Sequence, residues 1–408
     1  METHFDSEFF VGNRQKLRTL FAGSAPIVIT ANGLLQRSGD VTYPFRQDSS
    51  FWYLTGIDEA SIILVMDKGR EYLILPERGR AQEALDSDID IPALARRSGI
   101  DTILDYKSGW KQLETRLKRI KHIATLSAAP AYVDVYGMYS NPARATLITR
   151  LKEFTPEAQL LDLREHLTWM RTVKQDSELK VMQVAIDITT ATLKEVKKKL
   201  HKFYFEFEIE SAITEGFRRR GARGHAWEPM VASGQHAASP HYMTNGQKLE
   251  EKGFLIVDVG AEVSNYSADI TRTYGLGTQT KRQRAIYNAV LEVQSFALNH
   301  LKPGITLRTY EEEVEQFMGE KLRELHLIKS ISHENVRKYY PHGTSHFLGL
   351  DVHDVGDYDR PLEPNMVITV EPGIYILEEG IGVRIEDDIL ITAKGVKMLS
   401  SGLPRTLS

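Results

Sequence analysis

Along the first 160 or so residues, short apolar runs of strand length alternate with amphipathic stretches of helical period. APIVIT, FWYLTG, SIILVMD, EYLILP, HIATLS and AQLLDL are rich in β-formers and flanked by turn residues, which predicts strands. Lys68-Gly69, between two of them, has the form of a tight hairpin turn. Residues 111–118 and 142–154 predict helices, the second opening on proline. Such alternation predicts an α/β domain of mixed sheet. None of these segments gathers catalytic residue types.

The pattern changes at residues 163–178, where LREHLTWMRTVKQDSELK is charged and polar and leads into a long helix. From Asp176 or Ser177 as N-cap, apolar residues fall at Leu179, Met182, Ile186, Leu193, Val196 and Leu200, the spacing of a helix over 177–200. A domain boundary is placed here, giving domains 1–170 and 171–408. One continuous domain crossed by a long helix is the alternative. Beyond the boundary the order of elements repeats. A second helix over 206–220 precedes a hairpin, FLIVDVGAEVSNYSADITRTY. A helix over 281–301, stopped by Pro303-Gly304, and another over 309–325 precede a second hairpin, MVITVEPGIYILEEGIGVRIEDDILIT. Two helix–helix–hairpin units predict a duplicated half-domain, on element order rather than sequence identity.

Both hairpins place acids in strands that are otherwise apolar: Asp258 in LIVDV, Asp269 in SADIT, Glu371 in ITVEP and Glu386 in VRIED. A buried carboxylate is costly unless it is paired or holds a cation. The midpoint of Asp258 and Asp269 falls between residues 263 and 264, inside the turn-like EVSN. That of Glu371 and Glu386 falls between 378 and 379, inside LEEG. In unbulged hairpins each pair would sit directly opposite, with Cβ atoms about 4.5–5.5 Å apart, where bare like charges repel. Two such pairs suit two divalent cations roughly 3.5–4 Å apart. Pro372 marks the second strand as an edge or a bulge. The alternative is acids on the solvent face of each strand.

The segment PHGTSHFLGLDVHD holds His342, His346 and His353, and SPHYMTN holds His241. The spacing of His342 and His346 matches a zinc-protease helix, but Gly343, Thr344 and Ser345 are poor helix formers and no Glu follows His342. The histidines are therefore expected on a loop. Composition narrows the chemistry. Cysteine is absent, which excludes disulfides, thiolate metal sites and cysteine nucleophiles and leaves carboxylate and imidazole as metal ligands. That donor set suits Mn²⁺ over thiol-preferring metals. Fifty-one Lys and Arg against 55 Asp and Glu, a net charge of −4, points to neither nucleic acid nor an acidic membrane. GLGT lacks the third glycine of a dinucleotide fingerprint, and RRRGARG reads as a helix C-terminus. No apolar run approaches the ~18 residues of a membrane span. METHFDSEFF is acidic where a signal peptide is basic, so a soluble, cytoplasmic protein is expected.

The set Asp258-x10-Asp269, His346, Glu371 and Glu386, with HGTSH, DVHD, VEPGIY and GVRIED around it, resembles the pita-bread metallopeptidases. The resemblance is nearest to the Xaa-Pro aminopeptidases, with prolidases as close relatives. It covers nearly the whole chain, including a creatinase-like N-terminal domain with its RQxSxFWYLTG segment. It implies a dinuclear site holding two Mn²⁺ per chain, with Co²⁺ or Zn²⁺ as substitutes. Asp258 would bind one ion and His346 the other, while Asp269 and Glu386 bridge them. Glu371 would ligate the His346-bound ion and handle the proton of a bridging water. His241 and His353 would bind substrate and stabilise the tetrahedral intermediate, and His342 would line the proline pocket. Arg384, two residues before Glu386 and so on the same strand face, would order the acids and substrate, with Tyr375 in support. The implied substrates are peptides with proline in second position, cleaved by a homodimer or homotetramer. The resemblance departs at Ser50, where many members carry Asp in a segment that can approach a neighbouring subunit's site. Trp52 and Tyr53 are expected either to cap a partner's proline pocket or to be core residues of a strand. Two other functions stand beside the aminopeptidase: a prolidase restricted to Xaa-Pro dipeptides, and a binding protein that has lost catalysis, although none of the five ligand positions is missing.

Overall fold

The computed structural model describes residues 4–79, 88–126, 133, 136–240 and 242–407. They form two compact units, Phe5–Met170 and Arg171–Ser408, the latter together with His4.

The first unit is built on a six-stranded mixed sheet. Its spatial order is Ile103–Leu104, Arg70–Ile74, Ile63–Asp67, Ile27–Thr30, His122–Thr125 and Gln159–Asp162. Ile63–Asp67 runs antiparallel to both of its neighbours, and the remaining pairings are parallel. Lys68 and Gly69 both take positive φ, 45° and 78°, as a two-residue hairpin turn of the primed type requires. Val28, Val65, Ile74 and Ile123 pack from the sheet against Trp110, Leu113, Leu147 and Leu151 of helices Tyr106–Leu117 and Ala143–Phe154. Pro142 is the N-cap of the second helix.

FWYLTG departs from its expected strand. Ser49–Thr55 is a helix, capped by Asp48, whose carboxylate accepts the Phe51 N–H at 2.9 Å, and closed by Gly56 at φ 67°. All seven residues are buried, and a helix apolar on every side leaves no periodicity to separate it from a buried strand. Trp52 and Tyr53 are core residues of this helix. Trp52 meets Phe5 and Phe10 edge-on, and the Tyr53 hydroxyl donates to the carbonyl of Met170.

In the second unit the helices are Asp176–Lys199, Glu206–Arg219, Lys281–His300 and Leu307–Glu324. The first begins one residue earlier than expected, because the Glu178 carboxylate turns back to accept the Gln175 N–H at 2.9 Å. Val290, Val293, Val314 and Met318 of the later pair pack on Ile368, Val370, Ile374, Val383 and Ile389 of the strands that follow. Burying such side chains contributes about 1.5–3 kcal/mol each, which offsets the cost of acids placed among them. No helix among the described residues is long and apolar enough to cross a membrane.

Register places the acids. In the first hairpin, strand Gly253–Val259 pairs with Ile270–Leu276 so that Asp258 faces Thr271. Asp258 and Asp269 are therefore not directly opposed, contrary to the midpoint reading. The turn is Ser264-Asn265, both at positive φ (46° and 65°), one residue later than the midpoint. Asp269 consequently falls across from Gly260, a diagonal step from Asp258. In a regular ladder that is roughly 7–8 Å rather than 5. The second hairpin keeps the expected register. Val370 faces Asp387 and Gly373 faces Arg384, so Glu371 and Glu386 oppose each other in the gap between these two ladders. Pro372 occupies that gap, where its missing N–H costs no ladder bond, and its carbonyl accepts the Ile385 N–H.

Candidate active site

Five backbone segments converge on one acidic cluster. The loop after residue 340 carries His346, whose Nδ1 is held by the carbonyl of Phe347 at 3.0 Å, turning Nε2 toward the acids. Nε2 lies 3.4 Å from Asp269 Oδ2 and 3.3 Å from Glu371 Oε1. Asp269, His346 and Glu386 offer ligand atoms that all lie within 4.8 Å of one another. Thr369 braces two members at once: its hydroxyl accepts the His346 N–H and donates to Glu371 Oε1 at 3.2 Å.

Asp258 is tied in through Arg384. One Arg384 nitrogen forms an ion pair with Asp258 Oδ2, another donates to the Tyr375 hydroxyl at 2.7 Å, and Nε donates to Thr271 Oγ1 at 3.1 Å. Thr271 in turn donates to Glu386 Oε2 at 2.5 Å. The Tyr375 hydroxyl also meets His342 Nε2 at 2.8 Å, so Tyr375, Arg384 and His342 form one wall of the cluster. The shared face inferred for Arg384 and Glu386 from their spacing is thus bridged by a single threonine.

Electrostatics explain what this arrangement lacks. Burial raises Asp269, and the charges of Asp258 and Glu371 add to that, against the help of His346. Burial also raises Glu386, reinforced by Asp269, Glu371 and Asp258. Burial works on Glu371 in the same sense, yet its bond to His346 and the charges of His346, His342 and Arg384 prevail and pull it down. His346 is raised despite burial, because Asp269 and Glu371 flank it. Crowding favours the neutral forms of Asp269 and Glu386, and divalent cations would satisfy the same demand. Asp258 Oδ1 supports that fit: it is buried and has no hydrogen-bond partner. The residues present therefore suit hard or borderline divalent ions bound through oxygen and imidazole.

His353 is exposed and its ring lies beside that of His346, with centroids 4.3 Å apart. His241 lies outside the described residues. Several residues beyond the expected ligands also shape the cluster. Asp388 accepts the Asp269 N–H at 3.2 Å. Asp387 pairs with Arg272 at 2.6 Å and also accepts from Ser400 and Gln294, tying the two hairpins together beneath the acids. Asp388 was visible as the next alternate position after Glu386. Thr271, facing Asp258, required the register.

Comparison with known proteins agrees with this geometry. Residues 180–393 match the model of metallopeptidase family M24, and residues 10–124 match that of the aminopeptidase P N-terminal domain. The Xaa-Pro aminopeptidase of Haemophilus influenzae is 34% identical over 91% of this chain and 89% of its own. Aminopeptidase P from Escherichia coli, solved with the inhibitor Pro-Leu, superposes with a TM-score of 0.86 at 31% identity, covering 99% of this chain and 97% of that one. Proline aminopeptidase P II from Yersinia pestis gives 0.84 at 31% identity, with 98% of each chain covered. With its pita-bread second unit and mixed-sheet first unit, the chain belongs to metallopeptidase family M24, in the group that carries the aminopeptidase P N-terminal domain.

Proposed function

We propose that this metallo-aminopeptidase uses two divalent ions to hydrolyse the bond between an N-terminal residue and a proline in second position. The observation that carries the reading is the convergence of Asp269, His346 and Glu386 within 4.8 Å, with Glu371 on the same imidazole nitrogen. In this reading Asp258 would hold one ion, His346 and Glu371 would hold the other, and Asp269 and Glu386 would serve both. Mn²⁺ is the preferred occupant, with Co²⁺ or Zn²⁺ as substitutes, since oxygen and imidazole donors suit all three. When bound, the ions would acidify a water and lend Lewis acidity toward the scissile carbonyl.

The protein's own groups do the rest. Glu371, pulled down and therefore anionic, accepts the proton of the attacking water and returns it to the leaving proline nitrogen. His353, whose ring lies beside that of His346, would donate to the developing oxyanion, a role shared in this reading with His241. His342 is lowered to about 4, chiefly by burial, so it is a neutral ring at working pH. With Tyr375 it offers a flat wall to the proline ring, and Arg384 keeps Tyr375 and Asp258 in place. A bond to proline has no N–H for strand-like recognition, so a shaped pocket has to replace it. The curated relatives' names and the Pro-Leu complex of the E. coli enzyme support the same substrate class. The test is peptide-length profiling with and without added Mn²⁺. Metal-dependent cleavage of Xaa-Pro-Xaa tripeptides is expected. Cleavage confined to Xaa-Pro dipeptides would replace this reading with a prolidase.

A further inference from the structure

Between His342 and His346 the chain runs without helix or strand. Its inner side is tied to strand Val367–Val370 and the residue after it: the Thr344 carbonyl accepts the Glu371 N–H at 2.9 Å, and the His346 carbonyl accepts the Thr369 N–H at 3.0 Å. Its outer side is held from two helices. Arg337, at the end of the short helix His333–Arg337, donates to the His342 carbonyl and, at 3.0 Å, to Glu311 Oε1. The other Glu311 oxygen accepts the Thr344 N–H at 2.8 Å. Glu315 completes the arrangement by accepting from Arg337 Nε at 2.9 Å and meeting His333 Nδ1 at 2.7 Å. One guanidinium and one carboxylate thus grip the peptide groups on either side of Gly343.

We infer that Arg337 and Glu311 form a clamp that sets where His342 stands, making them positioning residues for the selection of proline. The assignment rests on the reading of His342 as a wall of the substrate pocket. The clamp reaches this wall only through the backbone carbonyl of His342 and makes no hydrogen bond to the His342 ring, Tyr375 or the acidic cluster. Gly343 is what makes the clamp necessary. A Cβ there would meet nothing nearer than 3.9 Å, so no side-chain packing steadies the glycine, and its backbone is the most permissive in the loop. The planar fork of Arg337 serves three acceptors at once, which the single ammonium of lysine cannot reproduce. The clamp also lines a cavity of about 780 Å³ with Gly343, Ser345 and Tyr358. Truncating Arg337 therefore opens onto space that water already reaches, and the variant is expected to fold.

The experiment compares Arg337→Ala, Arg337→Lys and Glu311→Ala with Arg282→Ala in metal-reconstituted full-length protein. Arg282 is a control because it makes a similar forked contact, to Glu379 and the Leu325 carbonyl, away from the loop. Arg337→Ala should raise KM for Xaa-Pro-Xaa peptides tenfold or more, with kcat and bound metal per chain within about threefold of wild type. Arg337→Lys should recover only part of that loss. The Arg337→Ala/Glu311→Ala double variant should be no worse than the more damaging single one, the signature of residues acting as a unit. Arg282→Ala should lower the melting temperature without moving KM. In ¹⁵N-histidine spectra, Arg337→Ala should shift the His342 ring signals. Unchanged His342 signals with unchanged KM would overturn the clamp, as would loss of metal as the main effect. Absence of Xaa-Pro cleavage by the wild type would instead overturn the functional reading, and the spectra would still decide the clamp.

Discussion

The two acid-bearing hairpins meet the same requirement in different ways. In the second, one register runs through both ladders, and Glu371 and Glu386 face each other across a short gap. In the first, the turn falls one residue later and Asp258 and Asp269 are diagonal rather than opposed. The offset sends the first hairpin's acids to different neighbours: Asp258 to Arg384, Asp269 to His346. The opposed pair in the second hairpin is separated by bonding instead, Glu371 to His346 and Glu386 to the Thr271 hydroxyl. Four carboxylates crowd one volume on three partners, with Asp269 and Glu371 sharing the His346 imidazole.

The comparison can be broken at four points. The largest effect is expected from Asp269→Asn, which keeps the shape of the first hairpin but removes a charge shared, in the proposed reading, by both ions. Turnover in excess Mn²⁺ should fall at least ~10³-fold, about 4 kcal/mol of transition-state stabilisation, with an unchanged circular dichroism spectrum. Near-normal activity would remove Asp269 from its bridging position.

A pair of glycines then separates stability from chemistry. A Cβ on Gly260 would lie 1.7 Å from the Ala268 carbonyl oxygen and 2.6 Å from the Trp227 ring. Gly260→Ala must therefore force the first hairpin apart, and a loss of about 1–3 kcal/mol by denaturant titration is expected. On Gly373 the same atom would meet only the end of the Tyr375 side chain, at 2.6 Å. Gly373→Ala should displace that hydroxyl from His342 and Arg384, lowering activity more than stability. Equal thermal losses in both variants would contradict the contrast.

Thr271→Val keeps the volume of the side chain but breaks the link from Glu386 to Arg384. Orienting groups of this kind are typically worth 10–100-fold in metal affinity or activity, and metal titration should show a loss in that range. The smallest effect concerns the support beneath the first hairpin's turn. Burial raises Glu178 to about 7, against its bonds to Gln175 and Tyr266 and the charge of Lys174. Because the folded state holds this proton more tightly than the unfolded state, the contribution to stability is fully present below pH 4.5. It is lost as pH rises toward 7. Glu178→Gln should flatten the fall in melting temperature between about pH 5 and 7, and an unaltered slope would assign the dependence elsewhere.

Much of this was legible before any coordinates, for identifiable reasons. Strand runs with turn residues beside them, and long helices of clear period, declare themselves locally, as Lys68-Gly69 and Lys281–His300 do. The chemistry of the site was legible because acids in apolar strands are conspicuous: Glu371 and Glu386 are placed by a midpoint alone. Failure came where a local signal was degenerate or a distant one decisive. Ser49–Thr55 is a helix buried on all sides, so its composition matches a strand. The first hairpin's register turned on which pair in EVSN takes positive φ, and Ser264-Asn265 does. Thr271, Arg337 and Glu311 matter through partners 115, 5 and 33 residues away, each in a segment already suspected, but the pairing itself is set by the fold.

The second hairpin also offers a practical use as a site for grafting. Four residue pairs, Gly373–Ile376 with Ile381–Arg384, and then the Pro372 gap stand between its turn and the two glutamates. The turn itself, Leu377–Glu379, holds on to the rest of the unit through solvent-screened ion pairs of Glu378 with Lys338 and Glu379 with Arg282. Lengthening a loop costs only about 0.6 kcal/mol per doubling. A fluorophore-bearing insert or a new chain terminus spliced between Glu378 and Glu379 should leave Glu371 and Glu386 facing each other, giving a reporter four rungs from the chemistry.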